Sequence, residues 1–179
     1  MKLRLSCLML VLASSTYGIN IQAQTAYELQ LNSHYLFLDI SEKRGPQYSD
    51  DFLNTGIVLS AYRQAGRNSS WGAVIECATP ANRNAAFGNG NILGFRPVNY
   101  LLDINAKLAA EFYLGAAQYN WEKTARGYYL GTNVRLKLKG YPISLVADYR
   151  FHQDMAYDSP LGDVIVQGSS IGTGIIFHF

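Results

Sequence analysis

The feature that most restricts what this chain can become is a strict two-residue alternation, clearest over residues 164–179. Ile165, Ile171, Ile175, Phe177 and Phe179 share one parity, and Gly168, Ser170, Gly172, Gly174 and His178 share the other. A period of two held over that length describes a β-strand with one apolar face and one small or polar face. Strands of soluble sandwiches alternate too, but they have little reason to finish on Phe177-His178-Phe179. Two aromatics on the apolar face at the end of a strand suit a strand that meets lipid, where aromatic side chains collect at the water interface.

The same alternation recurs upstream. In residues 25–39, Tyr27, Leu29, Leu31, Tyr35 and Phe37 oppose Glu28, Gln30, Asn32 and His34. Residues 53–63 place Leu53, Ile57 and Leu59 against Asn54, Gly56 and Ser60, and residues 71–77 place Trp71, Ile75 and Cys77 against Gly72 and Glu76. Leu108, Phe112 and Leu114 oppose Glu111, Tyr113, Ala117 and Tyr119. Residues 128–139 set Tyr128, Leu130, Val134 and Leu136 against Tyr129, Asn133, Arg135, Lys137 and Lys139. Residues 143–152 set Leu145, Tyr149 and Phe151 against Ser144, Asp148, Arg150 and His152. One stretch breaks the rule: in residues 92–102, Leu93 and Phe95 have one parity and Tyr100 and Leu102 the other, with Pro97 between. A bulge at Arg96-Pro97-Val98 would return both halves to the same face, and a proline without an N–H fits a bulge better than a regular ladder. The reading is an all-β chain forming a closed eight-stranded antiparallel transmembrane β-barrel. Short turns fall at 64–70, 103–106 and 140–142, and longer loops at 40–51, 80–91, 121–127 and 155–163.

Residues 1–23 read as a cleaved signal peptide, with Lys2 and Arg4, an apolar stretch at 5–13 and the small-residue site Ile21-Gln22-Ala23. That stretch is too short for a spanning helix, and Arg4-Leu5-Ser6 before Cys7 makes a poor lipidation box. The barrel then occupies residues 24–179. Without Lys2 and Arg4 the 15 bases become 13, matching the 13 acids, so the formal charge of +2 belongs to the signal. No electrostatic case for nucleic acid survives. Cys77 is left as one cysteine, so no intrachain disulfide is expected.

Eight strands enclose an interior only just wide enough for side chains. Glu28, Glu76, Glu111, Asp148, Arg135, Lys137 and Arg150 all carry lumen parity, so opposite charges should meet across neighbouring strands, because unpaired buried charge is costly. If Tyr119 pairs with Tyr129, Glu111 falls opposite Lys137; if Gly140 pairs with Ile143, Asp148 falls opposite Arg135. The lumen should then be a charge-paired plug rather than a pore.

With these residues assembled, the chain resembles the small eight-stranded outer-membrane barrels: the OmpX-like, opacity-type and OmpA transmembrane barrels. The resemblance is one of pattern over residues 24–179. The run 99–137, with Gly115-Ala116-Ala117 and Gly127-Tyr128-Tyr129-Leu130-Gly131, is similar to barrels of proteobacteria and implies no activity. Gly174, Phe177 and Phe179 look like the carboxyl-terminal signal by which bacterial outer-membrane proteins are recognised for insertion. The resemblance implies a place in the cell outer membrane, contact with its lipid and lipopolysaccharide, and recognition by the barrel-assembly machinery.

No catalytic residue, cofactor or metal site is expected. Lipid A modifying barrels are the enzymatic alternative, but His152-Gln153-Asp154 lacks the serine two residues on that the deacylase pattern asks for, and His152 has lumen parity. His34 and His152 lie on strands separated by the closing strand, about 10 Å apart at about 4.8 Å per strand, too far to share a metal. A structural role, or a surface ligand held by the charged segments 40–51 and 154–163, is the function expected.

Overall fold

The structure, a computed structural model, describes residues 25–42, 47–80, 90–120, 124–153 and 164–179. The expected signal, most of the 80–91 loop and the 154–163 segment lie outside the described residues. Eight strands follow in order: β1 (Thr25–Glu42), β2 (Gln47–Gln64), β3 (Ser69–Pro80), β4 (Asn91–Asp103), β5 (Leu108–Asn120), β6 (Thr124–Lys137), β7 (Ile143–Gln153) and β8 (Val164–His178). Each pairs antiparallel with the next, and β8 returns to β1 to close the barrel.

The two faces obey the alternation. Glu28, Gln30 and His34 of β1 are buried inside while Tyr27, Leu31, Tyr35 and Phe37 are exposed, and the other strands repeat the pattern. An outer wall this apolar is compatible with lipid rather than water. Aromatics gather at its two edges. Near the short turns stand Tyr27, Tyr141 and the pair Trp71–Tyr100, whose rings lie 4.9 Å apart. Towards the other end stand Tyr128, Phe151 and the pair Tyr35–Phe37, 5.0 Å apart. The ten-residue step from Tyr27 to Phe37 spans about 33 Å of strand, or about 25 Å of height at the ~40° tilt of such barrels. That is the height of a bilayer's apolar band.

The irregular strand bulges where the parity switches. Against β5 the register shifts between Phe95 and Val98, and against β3 Arg96 pairs with Val74 while Asn99 pairs with Gly72. One extra residue in β4 therefore lets Arg96 and Asn99, three apart, both point inward, and Leu93, Phe95 and Val98 all point outward. Two expected loops are shorter than the sequence suggested. Residues 40–42 and 47–51 are paired strand rather than loop, and β6 already begins at Thr124. The ladder there rests on backbone hydrogen bonds, which any side chain allows, so it continues without the alternation that would mark it. At the opposite end β6 stops at Lys137, and Lys139 sits exposed in the turn with Gly140 at φ 84° rather than in the lumen.

Room for the lumen side chains comes from glycines placed directly across the ladder from them. Tyr129 pairs with Gly115 and Tyr113 with Gly131. A Cβ at Gly115 would stand 2.6 Å from the Tyr129 hydroxyl, and one at Gly131 would stand 2.7 Å from Cε2 of Tyr113. Gly131→Ala is accordingly expected to lower stability by about 1–3 kcal/mol, the usual cost of overpacking. Urea titration of the refolded barrel measures it, and an unchanged midpoint would mean the tyrosine ring has freedom to move aside.

Candidate functional site

The charged residues of the lumen form two clusters stacked along the barrel. The cluster nearer the short turns centres on Arg135 of β6. Its guanidinium donates to Glu28 Oε2 on β1 at 2.8 Å, to Glu111 Oε2 on β5 at 2.5 Å and to the Tyr62 hydroxyl on β2 at 2.9 Å. Tyr62 in turn donates to Glu111 Oε1 at 2.5 Å, and Asn133 donates to Glu111 Oε2 at 2.5 Å. At the edge of the cluster His178 Nδ1 lies 3.1 Å from Glu28 Oε1, and its Nε2 lies 2.7 Å from Ser144 Oγ. This imidazole thus ties the end of β8 to both neighbouring strands.

The second cluster centres on Glu76 of β3. Arg96 of β4 donates to its Oε2 at 2.6 Å, and Arg150 of β7 reaches across the lumen to its Oε1 at 3.0 Å. Arg150 also donates to Asp148 Oδ2 at 2.9 Å, and the Tyr113 hydroxyl donates to the other oxygen of Asp148. The Arg96 guanidinium lies 4.0 Å above the Tyr113 ring, a cation–π contact that covers the face its carboxylate leaves open. Further along, His152 sits between the Tyr119 hydroxyl at 3.2 Å and Ser170 Oγ at 3.1 Å.

Of the four residues expected to form the lumen ion pairs, Glu111, Arg135 and Asp148 are buried inside, and Lys137 stands at the rim. The partners differ from those expected. Glu111 faces Asn133 across the β5–β6 ladder, not Lys137, and Asp148 also faces Asn133, across β6–β7, rather than Arg135. The ion pairs are Glu111 with Arg135, Asp148 with Arg150, and Lys137 with Asp103 at 2.5 Å. Early entry into β6 slides the β5–β6 register by four residues, and the β6–β7 register moves by two. Even slips keep every face and change every partner. Several contacts also span the lumen, β6 to β1 and β7 to β3, which no hairpin count reaches.

Arg96 is a buried charge that the sequence reasoning left out, as it did Tyr62 and Asp103, although the parity of Arg96 with Ile92 and Gly94 marks it as inward. Of the closing-strand residues, Gly174 packs inward against Asn32, Phe177 is half-buried, and Phe179 is exposed while its N–H donates to Tyr27 O at 3.0 Å. Among the described residues, no three His, Cys, Asp or Glu side chains converge to hold a metal. His152 and Ser170 form an imidazole–hydroxyl pair, yet Ser170 is fully buried and the third partner is a tyrosine hydroxyl. That geometry gives each of these buried polar groups a hydrogen-bond partner.

Neither a protein-family model nor a curated protein matches this sequence. Similar solved structures include Neisserial surface protein A, at 13% identity over 86% of this chain and 99% of that one with a TM-score of 0.49. The N-terminal β-barrel domain of Pseudomonas aeruginosa OprF is similar at 11% identity, over 88% and 100% of the two chains, with a TM-score of 0.49. The Yersinia pestis outer membrane protein Ail is similar at 11% identity, over 83% and 99%, with a TM-score of 0.44.

Proposed function

We propose that this chain is a non-conducting, non-catalytic barrel of the outer membrane that holds its exterior segments, 40–51 and 154–163, for contact with lipopolysaccharide or a surface ligand. One observation supports the reading: Arg135 reaches from β6 to Glu28 on β1 and Tyr62 on β2, and Arg150 from β7 to Glu76 on β3, which sets ionised side chains across the lumen at two levels. Ions could pass only by displacing groups whose charges are already matched, at a desolvation cost of several kcal/mol per group. The test is planar-bilayer conductance of the refolded protein, paired with attachment of cells whose protein has residues 43–46 replaced. No steady channel and reduced attachment are expected. An open channel of porin size would overturn the closed-lumen half, and unchanged attachment would overturn the surface half.

Gly174, Phe177 and Phe179 belong to this reading as the element offered to the barrel-assembly machinery. Replacing both Phe177 and Phe179 by alanine is expected to cut membrane insertion sharply in cells while refolding in detergent changes little. Equal losses in both settings would reduce these residues to ordinary packing.

A further inference from the structure

Among the described residues a cavity lies in the half of the lumen containing Glu76, with His34, Asn54, Arg150, His152 and Ser170 among the side chains that line it. Its wall is organised by register: His34 faces Asn54 on β2 and Gly172 on β8, and Gly172 faces Asp148 on β7. Gly172 carries no side chain, so the imidazole of His34 lies over its backbone, where a Cβ would meet the ring.

Three of the side chains around this space hold unused hydrogen-bonding capacity. Both ring nitrogens of His34, Oδ1 of Asn54 and Nη2 of Arg150 are buried with no hydrogen-bond partner among the described residues. The three residues are only 5%, 4% and 6% exposed. Asp148 Oδ2 lies 3.5 Å from His34 Nε2, an electrostatic contact too long for a good hydrogen bond. Buried polar groups are almost always satisfied, so four such atoms around one cavity point to something that satisfies them together.

The chemistry of the wall selects its class. A cation would face the guanidinium of Arg150, whose carboxylate partners Glu76 and Asp148 are already engaged by it. An anion would add charge where Arg96 and Arg150 are already matched by Glu76 and Asp148, leaving an uncompensated buried ion. An apolar guest would make none of the missing bonds. A small neutral molecule that both donates and accepts fits: it accepts from Arg150, donates to Asn54 Oδ1, and takes either role with His34. The free space is about 20 Å³, above the roughly 10–15 Å³ needed for one water and short of what a larger guest needs.

We propose that this cavity is a resident water site, in which one or two water molecules bridge Arg150, Asn54 and His34 and fix the tautomer of the imidazole. The water is held in place and does not form part of a conduction path.

Two measurements on the full chain refolded in detergent test the site. Magnetisation transfer from water to the Arg150 guanidinium and Asn54 amide protons should show long-lived contacts, and a high-resolution crystal structure should show density within hydrogen-bonding distance of Arg150 Nη2. Asn54→Leu removes the acceptor and fills the space, so the Arg150 signal should disappear. His34→Gln keeps a polar partner and should preserve it. If Asn54→Leu does not fold, the wild-type signals still decide. Absence of both water signals in the wild type overturns the proposal, as does an anomalous peak at Arg150 after a bromide soak, which would assign the site to an anion.

Discussion

Arg135→Met should destabilise the refolded barrel by about 3–5 kcal/mol, the cost of breaking a buried ion pair from one side. Methionine keeps most of the volume, so packing alone would cost far less. What is lost is the cation that Glu28 and Glu111 share. Both carboxylates are buried, at 6% and 1% exposure, and neither strand can retreat from a closed ladder to hydrate them. The dependence on charge rather than size has a direct check: adding Glu28→Gln and Glu111→Gln to Arg135→Met should return much of the loss, since a neutral network leaves no stranded charge. Arg135→Lys should fall between, because an ammonium keeps the charge but cannot span Glu28, Glu111 and Tyr62 with one planar fork. Urea unfolding in phospholipid vesicles, followed by tryptophan fluorescence and gel mobility, reads all four proteins. A cost below about 1 kcal/mol for Arg135→Met would place the cluster in the range of solvated surface pairs.

The comparison of Arg135 with Arg96 shows which parts of this molecule can be read from sequence. Facing is a local property, because each residue inherits its side of the wall from its neighbour but one. Arg135 is therefore inward as soon as β6 is recognised, and the bulge at Pro97 follows from the clash of parities on its two sides. Partnership is not local. Glu111 meets Arg135 because β6 enters its ladder at Thr124, a point that the alternation of faces does not mark. Nor does any hairpin place Glu28 beside Arg135 or Glu76 beside Arg150, since those contacts depend on the barrel closing and on where opposite walls then meet. The alternation shows Gly56, Gly72, Gly168, Gly172 and Gly174 as inward and small; that Gly131 lies beneath Tyr113 and Gly115 beneath Tyr129 needs the register.

Glu76→Ala should be about as damaging as the loss of Arg135, about 3–5 kcal/mol, because it takes the carboxylate from Arg96 and one of two from Arg150. Arg96 would retain the long contact to the Tyr129 hydroxyl, 3.4 Å, and the face of Tyr113. Arg150 would retain Asp148. Glu76→Gln keeps shape and one acceptor and should cost less, with the difference between the two variants isolating the charge from the cavity. The position gives little room for compensation, since Glu76 lies across the ladder from Gly94, where a Cβ would stand 2.5 Å from its Oε1. The two clusters share no direct hydrogen bond among the described contacts, so their losses should add to within about 0.5 kcal/mol. The conservative pair Glu76→Gln with Arg135→Lys is the one to combine, because the two severe changes together would exhaust the 5–15 kcal/mol typical of a folded domain. Additivity would establish two independent closures of the lumen. A coupling above about 1 kcal/mol would instead make them one network, transmitted through Tyr113 and Asn133, and a defect at either level would then loosen both.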